Sequence, residues 1–462
     1  DNIVRYSWEH KIHKIDFTGV YSLQQNQDEK MRGASKDLPF NSLWYNLQGG
    51  EMTSMTSSYV QSNLMSFLGR INYTLADKYM LTASLRYDGS SKLADGNKWS
   101  LFPSVAVAWR LKEEAFMQSV DWLSNLKLRL SYGQTGNDTV SPYSTNGTIA
   151  GSQYYSFGTN TVIGTYPNNI RNDKLGWERT SEYNVGVDFG FFDNRISGSV
   201  EYYNRLTKDL IMNKSIPTHL GYSSVRDNVG SVRNQGFEIM LNTENIRLKD
   251  FSWQTTFTLS YNKNEIVDLA FKEDLGVYSD RLKGMQGDYN NRWFIGQPIG
   301  VIYDFTKVGI WQEEEIAAGE HLKWDPVAKA GDLKLLDLNK DGKITDDDRS
   351  VLGQTTPKWI GGLTNTFTWK DLTLSVFIQT VQGVMKNNTL IGMAGDEMGR
   401  RNTATEIGYW TPENKSNEWR SLSKNSNPHG YGFPCKANYT RIKDVTLSYN
   451  FPAQLIKKMG IG

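Results

Sequence analysis

An acidic loop at residues 337–348, DLNKDGKITDDD, contains the residues whose spacing most clearly predicts site chemistry. Oxygen donors fall at positions 1, 3, 5, 7 and 12 of this loop, and Gly342 stands at position 6, where a calcium loop turns sharply. Calcium prefers six to eight oxygen ligands, and this spacing turns five or six of them inward. The predicted calcium ligands are the side chains of Asp337, Asn339, Asp341 and Asp348 and the carbonyl oxygen of Lys343.

This acidic loop differs from a helix-flanked calcium sensor in two ways. Position 12 is Asp348 rather than the longer glutamate, and the flanking sequence GDLKLL has extended rather than helical character. The loop therefore predicts a single structural calcium site, in which the ion stiffens a long connection. The alternative is an acidic turn that is only solvated.

Pairs of aromatic side chains are the second group that could bind a ligand. Planar rings stack on sugars and peptides, and neighbouring amides supply hydrogen bonds. The alternative is that these rings pack the loops against one another or against a partner protein. The ligand-binding candidates are Tyr154, Tyr155, Trp293, Phe294, Tyr409 and Trp410.

Enzyme signatures are missing from the sequence. It contains no Gly-x-Ser-x-Gly elbow, no His-Glu-x-x-His pair and no Walker-type phosphate loop. The 5 histidines are scattered, and His10 with His13 would need a third ligand to hold a metal. We therefore predict no catalytic residue and no enzymatic activity.

Composition limits the partners and the class of protein. The 462 residues include 51 basic and 50 acidic side chains, so no excess of positive charge predicts a nucleic-acid partner. Aromatic residues make up 12% of the chain, yet its mean hydropathy is -0.54. No run of eighteen apolar residues predicts a membrane helix. Cys435 is the single cysteine, which excludes an intrachain disulfide.

The stretch FSWQTTFTLSYN, residues 251–262, shows the element that must position these groups. Phe251, Trp253, Phe257, Leu259 and Tyr261 alternate with polar residues, and this period of two is typical of a β-strand with one apolar face. In a soluble sandwich the apolar face would turn toward a core. In an outer-membrane barrel it would turn toward lipid, with the polar face toward a water-filled lumen.

Similar alternation predicts twelve strands. Most of them are longer than the five or six residues usual in globular proteins and suit a tilted crossing of a bilayer. The predicted strands lie at about 15–24, 64–75, 79–88, 99–110, 126–134, 178–191, 196–205, 236–248, 251–262, 357–369, 371–381 and 439–451.

Connections between these strands favour a membrane barrel. Short turns, such as 76–78 and 249–250, alternate with long connections, of which 263–356 and 382–438 are the longest. Transmembrane barrels have this asymmetry, with short periplasmic turns and long extracellular loops, whereas such long loops are unusual in a compact soluble domain. The fold class predicted is therefore an all-β, transmembrane, antiparallel up-and-down barrel. Its polar lumen would be lined by Arg70, Arg86, Arg129, Glu182 and Asp188.

Five segments resemble the barrel of SusC/RagA-type TonB-dependent transporters of Bacteroidetes. They occur in the same order and extend from the first third of the chain to its end. The segments are FPSVAVAWRLKEEAFM, LKLRLSYGQTGN, EYNVGVDFGFFDNRISGSVEYYNRLTKDLI, NQGFEIML and YTRIKDVTLSYNFP.

The resemblance implies a 22-stranded barrel closed by a plug domain. It also implies outer-membrane import of oligosaccharides or peptides, a SusD-like surface lipoprotein as lid, and TonB acting on the plug. Neither a plug nor the last barrel strands are found in the sequence, so we expect these residues to form part of the barrel wall across 1–462. Two alternatives stay open: a secreted or surface calcium-dependent β-rich glycan-binding module, and an outer-membrane enzyme.

Overall fold

The computed structural model describes residues 1–40, 44–216, 219, 221–269, 287–288, 292–388, 407–422 and 426–451, without the side chains of residues 152, 215, 287 and 288. The contacts divide the chain into two compact units. The first comprises Asp1–Val120, Leu126–Gly186 and Asn204–Ser231, and the second comprises Asp121–Asn125, Val187–Tyr203 and Val232–Gly462.

The main sheet consists of thirteen antiparallel strands that neighbour one another in sequence order. The predicted all-β, antiparallel up-and-down class is therefore confirmed. The strands are β1 Asn2–His10, β2 His13–Lys36, β3 Glu51–Leu75, β4 Tyr79–Ser90, β5 Trp99–Arg110, β6 Leu123–Asn137, β7 Glu178–Phe191, β8 Ile196–Lys208, β9 Ser231–Arg247, β10 Phe251–Asp268, β11 Trp359–Trp369, β12 Leu372–Gln382 and β13 Tyr439–Tyr449.

Each of the twelve predicted strands corresponds to one of β2–β13. Two differences are large. The structure adds β1, which pairs with β2 from Asn2↔Tyr21 to His10↔His13. It also extends β2 and β3 well beyond their predicted ends. The pairing of these two strands continues as far as Lys36↔Glu51.

The short turns adopt left-handed backbone conformations. Ala76 and Asp77, between β3 and β4, have φ of 50° and 57°, and Lys370, between β11 and β12, has φ of 52°. Two-residue hairpins favour positive φ because the resulting twist matches that of the strands. The predicted tight turns are therefore present at these positions.

The remaining strands and helices lie in the long connections. No helix among the described residues has the length and apolar character needed to cross a membrane. The part of the chain that the structure describes contains one α-helix, Glu313–Ala317, and five short 3₁₀ turns: Leu47–Gly49, Leu111–Glu113, Ala115–Met117, Glu320–Lys323 and Asp346–Asp348. The paired short strands are Ile149–Phe157 with Asn160–Pro167, Ile211–Ser215 with Ser224–Asn228, Gly287–Asp288 with Trp293–Phe294, Val301–Asp304 with Ser350–Gln354, Lys307–Ile310 with Leu333–Leu335, and Met385–Asn387 with Pro434–Lys436.

Buried apolar clusters lie beneath these connections. In the first unit, Phe102 and Trp177 pack edge to face at 5.4 Å, and Leu175 is fully buried beside them. In the second unit, one cluster surrounds Phe305 and another surrounds Phe294. The long loops therefore carry small cores of their own.

Candidate functional site

On the strands of the first unit, burial is the reverse of that in a soluble protein, because apolar side chains are exposed and polar side chains on the opposite face are buried. Leu85, in the middle of β4, is 50% exposed, and Val107 of β5 is 45% exposed. By contrast, Asp88 and Ser66 on the polar face are each 6% exposed. Exposed apolar side chains that repeat along strands need an apolar solvent, which lipid supplies.

Polar-face side chains pair with one another across neighbouring strands. Ser84 and Ser104 hydroxyls lie 2.7 Å apart, and Thr82 donates to Asn72 at 2.9 Å. These cross-strand bonds satisfy hydroxyl and amide groups that would otherwise compete for water.

Among the predicted lumen residues, Arg86 pairs with a buried carboxylate. Its Nε donates to both carboxylate oxygens of Asp88, at 2.8 and 2.7 Å, and its Nη2 donates to Ser66 Oγ at 3.2 Å. Asp88 is buried, so this charge-assisted pair offsets the cost of removing a carboxylate from water.

The other four predicted lumen residues also lie on polar faces. Arg70 donates to Asn72 at 3.3 Å, and Glu182 accepts from Arg205 at 2.7 Å. Arg129 pairs in register with Ala108 and lies against Gly186. Alternation places Asp188 on the same face as Glu182.

Aromatic rings near the short turns converge on one carboxylate. Tyr79 and Trp109 stack at 6.2 Å between ring centroids and donate to Glu114 Oε1 at 2.6 and 3.0 Å. These hydrogen bonds, the one from Tyr79 above all, lower the pKa of Glu114. The arrangement fits an interfacial aromatic belt, where rings face lipid and their polar atoms reach the wet rim.

The predicted calcium loop folds as a series of side-chain-to-backbone turns. Asp337 accepts from the backbone N–H groups of Asp341 and Gly342 at 3.2 and 2.9 Å, and Asn339 accepts from Asp341 at 3.0 Å. Gly342 has φ of +80°, the left-handed conformation that position 6 requires. The first half of the loop is thus curled by hydrogen bonds around Asp337 and Asn339.

Asp348 has a different arrangement. It is 1% exposed, and it accepts backbone N–H groups of Leu338 and Thr345 at 2.8 Å each and of Asn339 at 3.4 Å. Within the part of the chain that the structure describes, no three His, Cys, Asp or Glu side chains are grouped to hold a metal ion. Asp348 therefore closes the loop through backbone contacts in this structure.

The ligand-binding candidates differ in their exposure. Tyr154 and Tyr155 lie in the short strand Ile149–Phe157 of the first unit, which pairs with Asn160–Pro167, and are 66% and 50% exposed. Tyr409 of the second unit is 40% exposed. Trp293 is half-buried. These four rings retain surface that a ligand could contact.

Phe294 and Trp410 are buried inside loop cores. Phe294 is fully buried against Val301 and Tyr303. Trp410 is 7% exposed, and its indole N–H donates to Gln312 Oε1 at 2.9 Å. Both rings pack the loops in this structure, which is the alternative that the sequence left open.

A buried ion pair in the loops was not predicted from the sequence. Asp304 is 3% exposed and accepts from the guanidinium of Arg349 at 3.2 Å and from the N–H groups of Phe305 and Gly432 at 2.8 Å each. The guanidinium also lies 4.1 Å from the centre of the Phe305 ring. Asp304 therefore joins three segments that are distant in sequence.

Half-buried His429 and Tyr431 lie in the same region as this pair. His429 Nε2 lies 3.1 Å from Asp325, which is 2% exposed. Burial, with a smaller contribution from Asp304, raises the pKa of Tyr431 to about 12. The Tyr431 phenol therefore stays protonated even at alkaline pH, where an ordinary tyrosine would ionise.

Comparison with protein families gives one match that covers nearly the whole chain. Residues 5–457 match the family described as "TonB dependent receptor-like, beta-barrel".

Two curated relatives are similar over long segments. "TonB-dependent receptor P3" of Formosa agariphila is 31% identical over 468 residues, covering 100% of this chain and 46% of the relative. "TonB-dependent receptor SusC" of Bacteroides thetaiotaomicron is 30% identical over 336 residues, covering 70% of this chain and 32% of the relative. The chain therefore spans about half or less of the length of these relatives.

Solved structures agree on the fold. "Structure of the RagAB peptide transporter" matches with a TM-score of 0.78 and 23% identity, over 98% of this chain and 49% of that chain. The same complex in its "open-open" state matches with a TM-score of 0.79 and 24% identity, over 98% of this chain and 48% of that chain. The likeness shows the fold alone.

Proposed function

The chain belongs to the TonB-dependent receptor family as part of its outer-membrane β-barrel, and on that premise we propose that it imports oligosaccharides or peptides with a SusD-like surface lipoprotein. The predicted SusC/RagA-type resemblance, the barrel fold and the outer-membrane location of a Bacteroidetes-type bacterium are confirmed. The family is one of transport receptors and not a class of enzymes. Because the chain belongs to this family, it is a transport receptor rather than the secreted or surface glycan-binding module considered as an alternative.

The inverted burial of the strands is the observation that carries this proposal. Exposed Leu85 and Val107 suit the hydrocarbon, whereas the Arg86–Asp88 pair suits a wet lumen. In the proposed mechanism, substrate is captured among the external loops beneath the lipoprotein. Work supplied by TonB then opens the lumen, and the polar faces that hold Arg70, Arg129, Glu182 and Asp188 give it a hydrated path.

Both substrate classes remain in the proposal. Exposed Tyr154, Tyr155 and Tyr409 and half-buried Trp293 offer planar surfaces that suit sugar rings and peptide side chains equally. The name of the RagAB relative concerns peptides, but its likeness to this chain shows the fold and leaves the choice of substrate open.

A deletion strain tests the transport function. Cells that lack the full-length receptor should lose uptake of one class in a panel of labelled oligosaccharides and peptides, and the full gene should restore it. The SusD-like lipoprotein should co-purify with the tagged receptor. Unchanged uptake across the whole panel would contradict the proposal.

Substituting a loop ring tests the binding surface. Tyr154→Ala should weaken substrate binding about two- to tenfold, because loss of one stacked ring removes about 0.5–1.5 kcal/mol beyond the area it buries. Tyr166→Ala is the matched control, since Tyr166 lies on the paired strand of the same hairpin. Substrate titration by calorimetry should separate the two variants, and equal affinities would exclude Tyr154 as a ligand contact.

We also propose that the 337–348 loop binds one structural calcium ion. The curled conformation around Asp337, Asn339 and Asp341 supports it, as these groups and the carbonyl of Lys343 are hard oxygen donors. Asp348 would join them as the ligand at position 12, because a carboxylate that accepts backbone N–H groups keeps a lone pair for the ion.

Calcium titration distinguishes the roles of these carboxylates. The wild-type receptor should bind one Ca²⁺ with a Kd of about 10⁻⁴ M, the range of extracellular modules. Asp337→Asn combined with Asp341→Asn should abolish binding, whereas Asp347→Asn, in the same acidic run, should leave it unchanged. Absence of calcium binding by the wild type would leave the loop a solvated turn.

A further inference from the structure

A small cavity of about 280 Å³ lies in the second unit beside the ends of β11 and β12. Lys358 directly precedes β11, and Gly383 directly follows β12. Both lie at the opposite end of these strands from the short turn at Lys370, and the long connections of such a barrel are extracellular. The cavity therefore lies at the extracellular rim of the barrel.

The side chain of Lys358 reaches this cavity from the lumen side. Trp359 belongs to the apolar side of β11, so alternation places the preceding Lys358 on the polar, lumen side. The backbone N–H of Lys358 donates to the carbonyl of Gln382 at 2.9 Å, which continues the pairing of β11 with β12. Gly383 has φ of +74°, and a Cβ there would lie 2.7 Å from Cβ and Cγ of Lys358. The glycine therefore leaves the space that the lysine stem occupies.

Two positive charges line the cavity without an acidic partner. Lys358 and Lys436 are both lining residues, and none of the lining residues that the structure describes is acidic. Within the described part of the chain, neither ammonium group forms an ion pair. Lys334 of the same unit, by contrast, pairs with Glu315 at 2.6 Å. Two uncompensated ammonium groups at one cavity give it a positive potential that concentrates anions.

Amide groups add hydrogen-bond donors beside the two lysines. Asn438 Oδ1 accepts from the backbone N–H of Val384 at 3.1 Å. Because a backbone N–H can only donate, this bond identifies the oxygen of the amide and leaves Nδ2 of Asn438 as a donor. Gln297 contributes a second amide to the lining. Ammonium and amide N–H groups are the donors that a carboxylate accepts.

The rest of the wall is apolar. Met385 packs against Gly353, where a Cβ would collide with the methionine sulfur, and Val351 and Val384 also line the cavity. Pockets that enclose a whole small-molecule ligand measure about 300–1,000 Å³. The cavity therefore suits one residue of a longer chain, with its charged group toward the lysines and its carbon skeleton on the apolar wall.

We propose that this cavity is a subsite for a carboxylate group of the transported substrate. The carboxylate accepts from the ammonium groups of Lys358 and Lys436 and from Nδ2 of Asn438. This inference rests on the proposed import function and narrows the substrate to an acidic one. An oligosaccharide supplies the carboxylate through a uronic acid, and a peptide supplies it through its C-terminus.

Paired acidic and neutral ligands test the subsite. Calorimetric titration of the full-length receptor at low ionic strength compares trigalacturonate with its methyl ester, and trialanine with its C-terminal amide. One of the two acids should bind at least about tenfold more tightly than its neutral derivative, because the neutral form loses the charge-assisted hydrogen bonds. The acid that shows this preference identifies the source of the carboxylate. Added salt should reduce the preference, since Lys358 and Lys436 are exposed.

Lysine variants assign the preference to this cavity. Lys358→Gln and Lys436→Gln should each weaken binding of the preferred acid about fivefold and leave binding of its neutral derivative unchanged. Lys386→Gln is the matched control, since Lys386 follows Met385 on the same short strand but faces the other side and does not line the cavity. It removes the same charge and should bind the acid as the wild type does.

Two results would overturn the subsite. One is equal affinity of the wild type for each acid and its neutral derivative. The other is a preference for the acid that persists when Lys358→Gln and Lys436→Gln are combined. Uptake measured in parallel in the deletion strain separates these results from failure of the transport proposal, because a receptor that restores uptake without preferring an acid disproves only the subsite.

Discussion

Replacing Leu85 by lysine should prevent stable insertion of the barrel. Leu85 is half exposed at the middle of β4, on the face assigned to lipid. A lysine at the bilayer midplane of such a barrel costs about 2–4 kcal/mol, a large part of the stability of a typical domain. Urea titration of the receptor refolded into phospholipid vesicles measures the loss.

Ser84→Lys is the matched control for Leu85→Lys. Ser84 is the adjacent residue and faces the opposite side, where it pairs with Ser104. Its lysine would reach water in the lumen, so we expect a loss of less than about 1 kcal/mol. Equal losses for the two lysine variants would show that the two faces do not meet different solvents.

Removing the carboxylate of Asp304 should open the external loops of the second unit. Asp304→Ala leaves the half-buried guanidinium of Arg349 without its buried partner and two backbone N–H groups without an acceptor. Breaking a buried ion pair from one side costs about 3–5 kcal/mol. Hydrogen exchange should therefore accelerate about a hundredfold or more in Lys307–Ile310 and Leu333–Leu335, the short sheet packed around Phe305.

Asp346→Ala is the control because Asp346 contacts the same guanidinium, at 2.9 Å, but its side chain is 70% exposed. Exposed pairs contribute about 0–1 kcal/mol, so exchange should change no more than a few-fold. If Asp304→Ala behaved like Asp346→Ala, Asp304 would not be the residue that holds these loop segments together.

Much of the wall was predictable because alternation and turn residues are local signals. The ends of β5 and β7 agree with prediction, since Trp99, Arg110 and Phe191 close clear two-faced patterns. The signal for β1 is also present, as Val4, Tyr6 and Trp8 alternate with polar residues. The predicted strands nevertheless begin only at residue 15 and do not include β1.

The outer halves of β2 and β3 were not predictable in the same way. Residues 25–36 are mostly polar and carry no apolar stripe, because both of their faces are exposed. Backbone pairing with the partner strand, as in Gln27↔Gln61, holds them extended. Such pairing between distant segments leaves no mark on a single strand's sequence.

The candidate site residues also differ in how far they depend on local sequence or on contacts between distant segments. The calcium-type spacing at 337–348 is local, and the hydrogen bonds that curl this loop join residues four or five positions apart. Burial of Phe294 beside exposed surface at Trp293, and the pairing of Asp304 with Arg349, depend on contacts between distant segments.

The direction in which each face points can be measured with spin labels. Single cysteines at Leu85, Val107, Ser84 and Ser104, in a Cys435→Ser background of the full-length receptor in lipid, report collisions with oxygen and with a water-soluble nickel complex. We expect labels at Leu85 and Val107 to collide mainly with oxygen, which partitions into hydrocarbon, and labels at Ser84 and Ser104 to collide mainly with nickel. The reverse pattern, with Leu85 and Val107 open to nickel, would contradict this expectation.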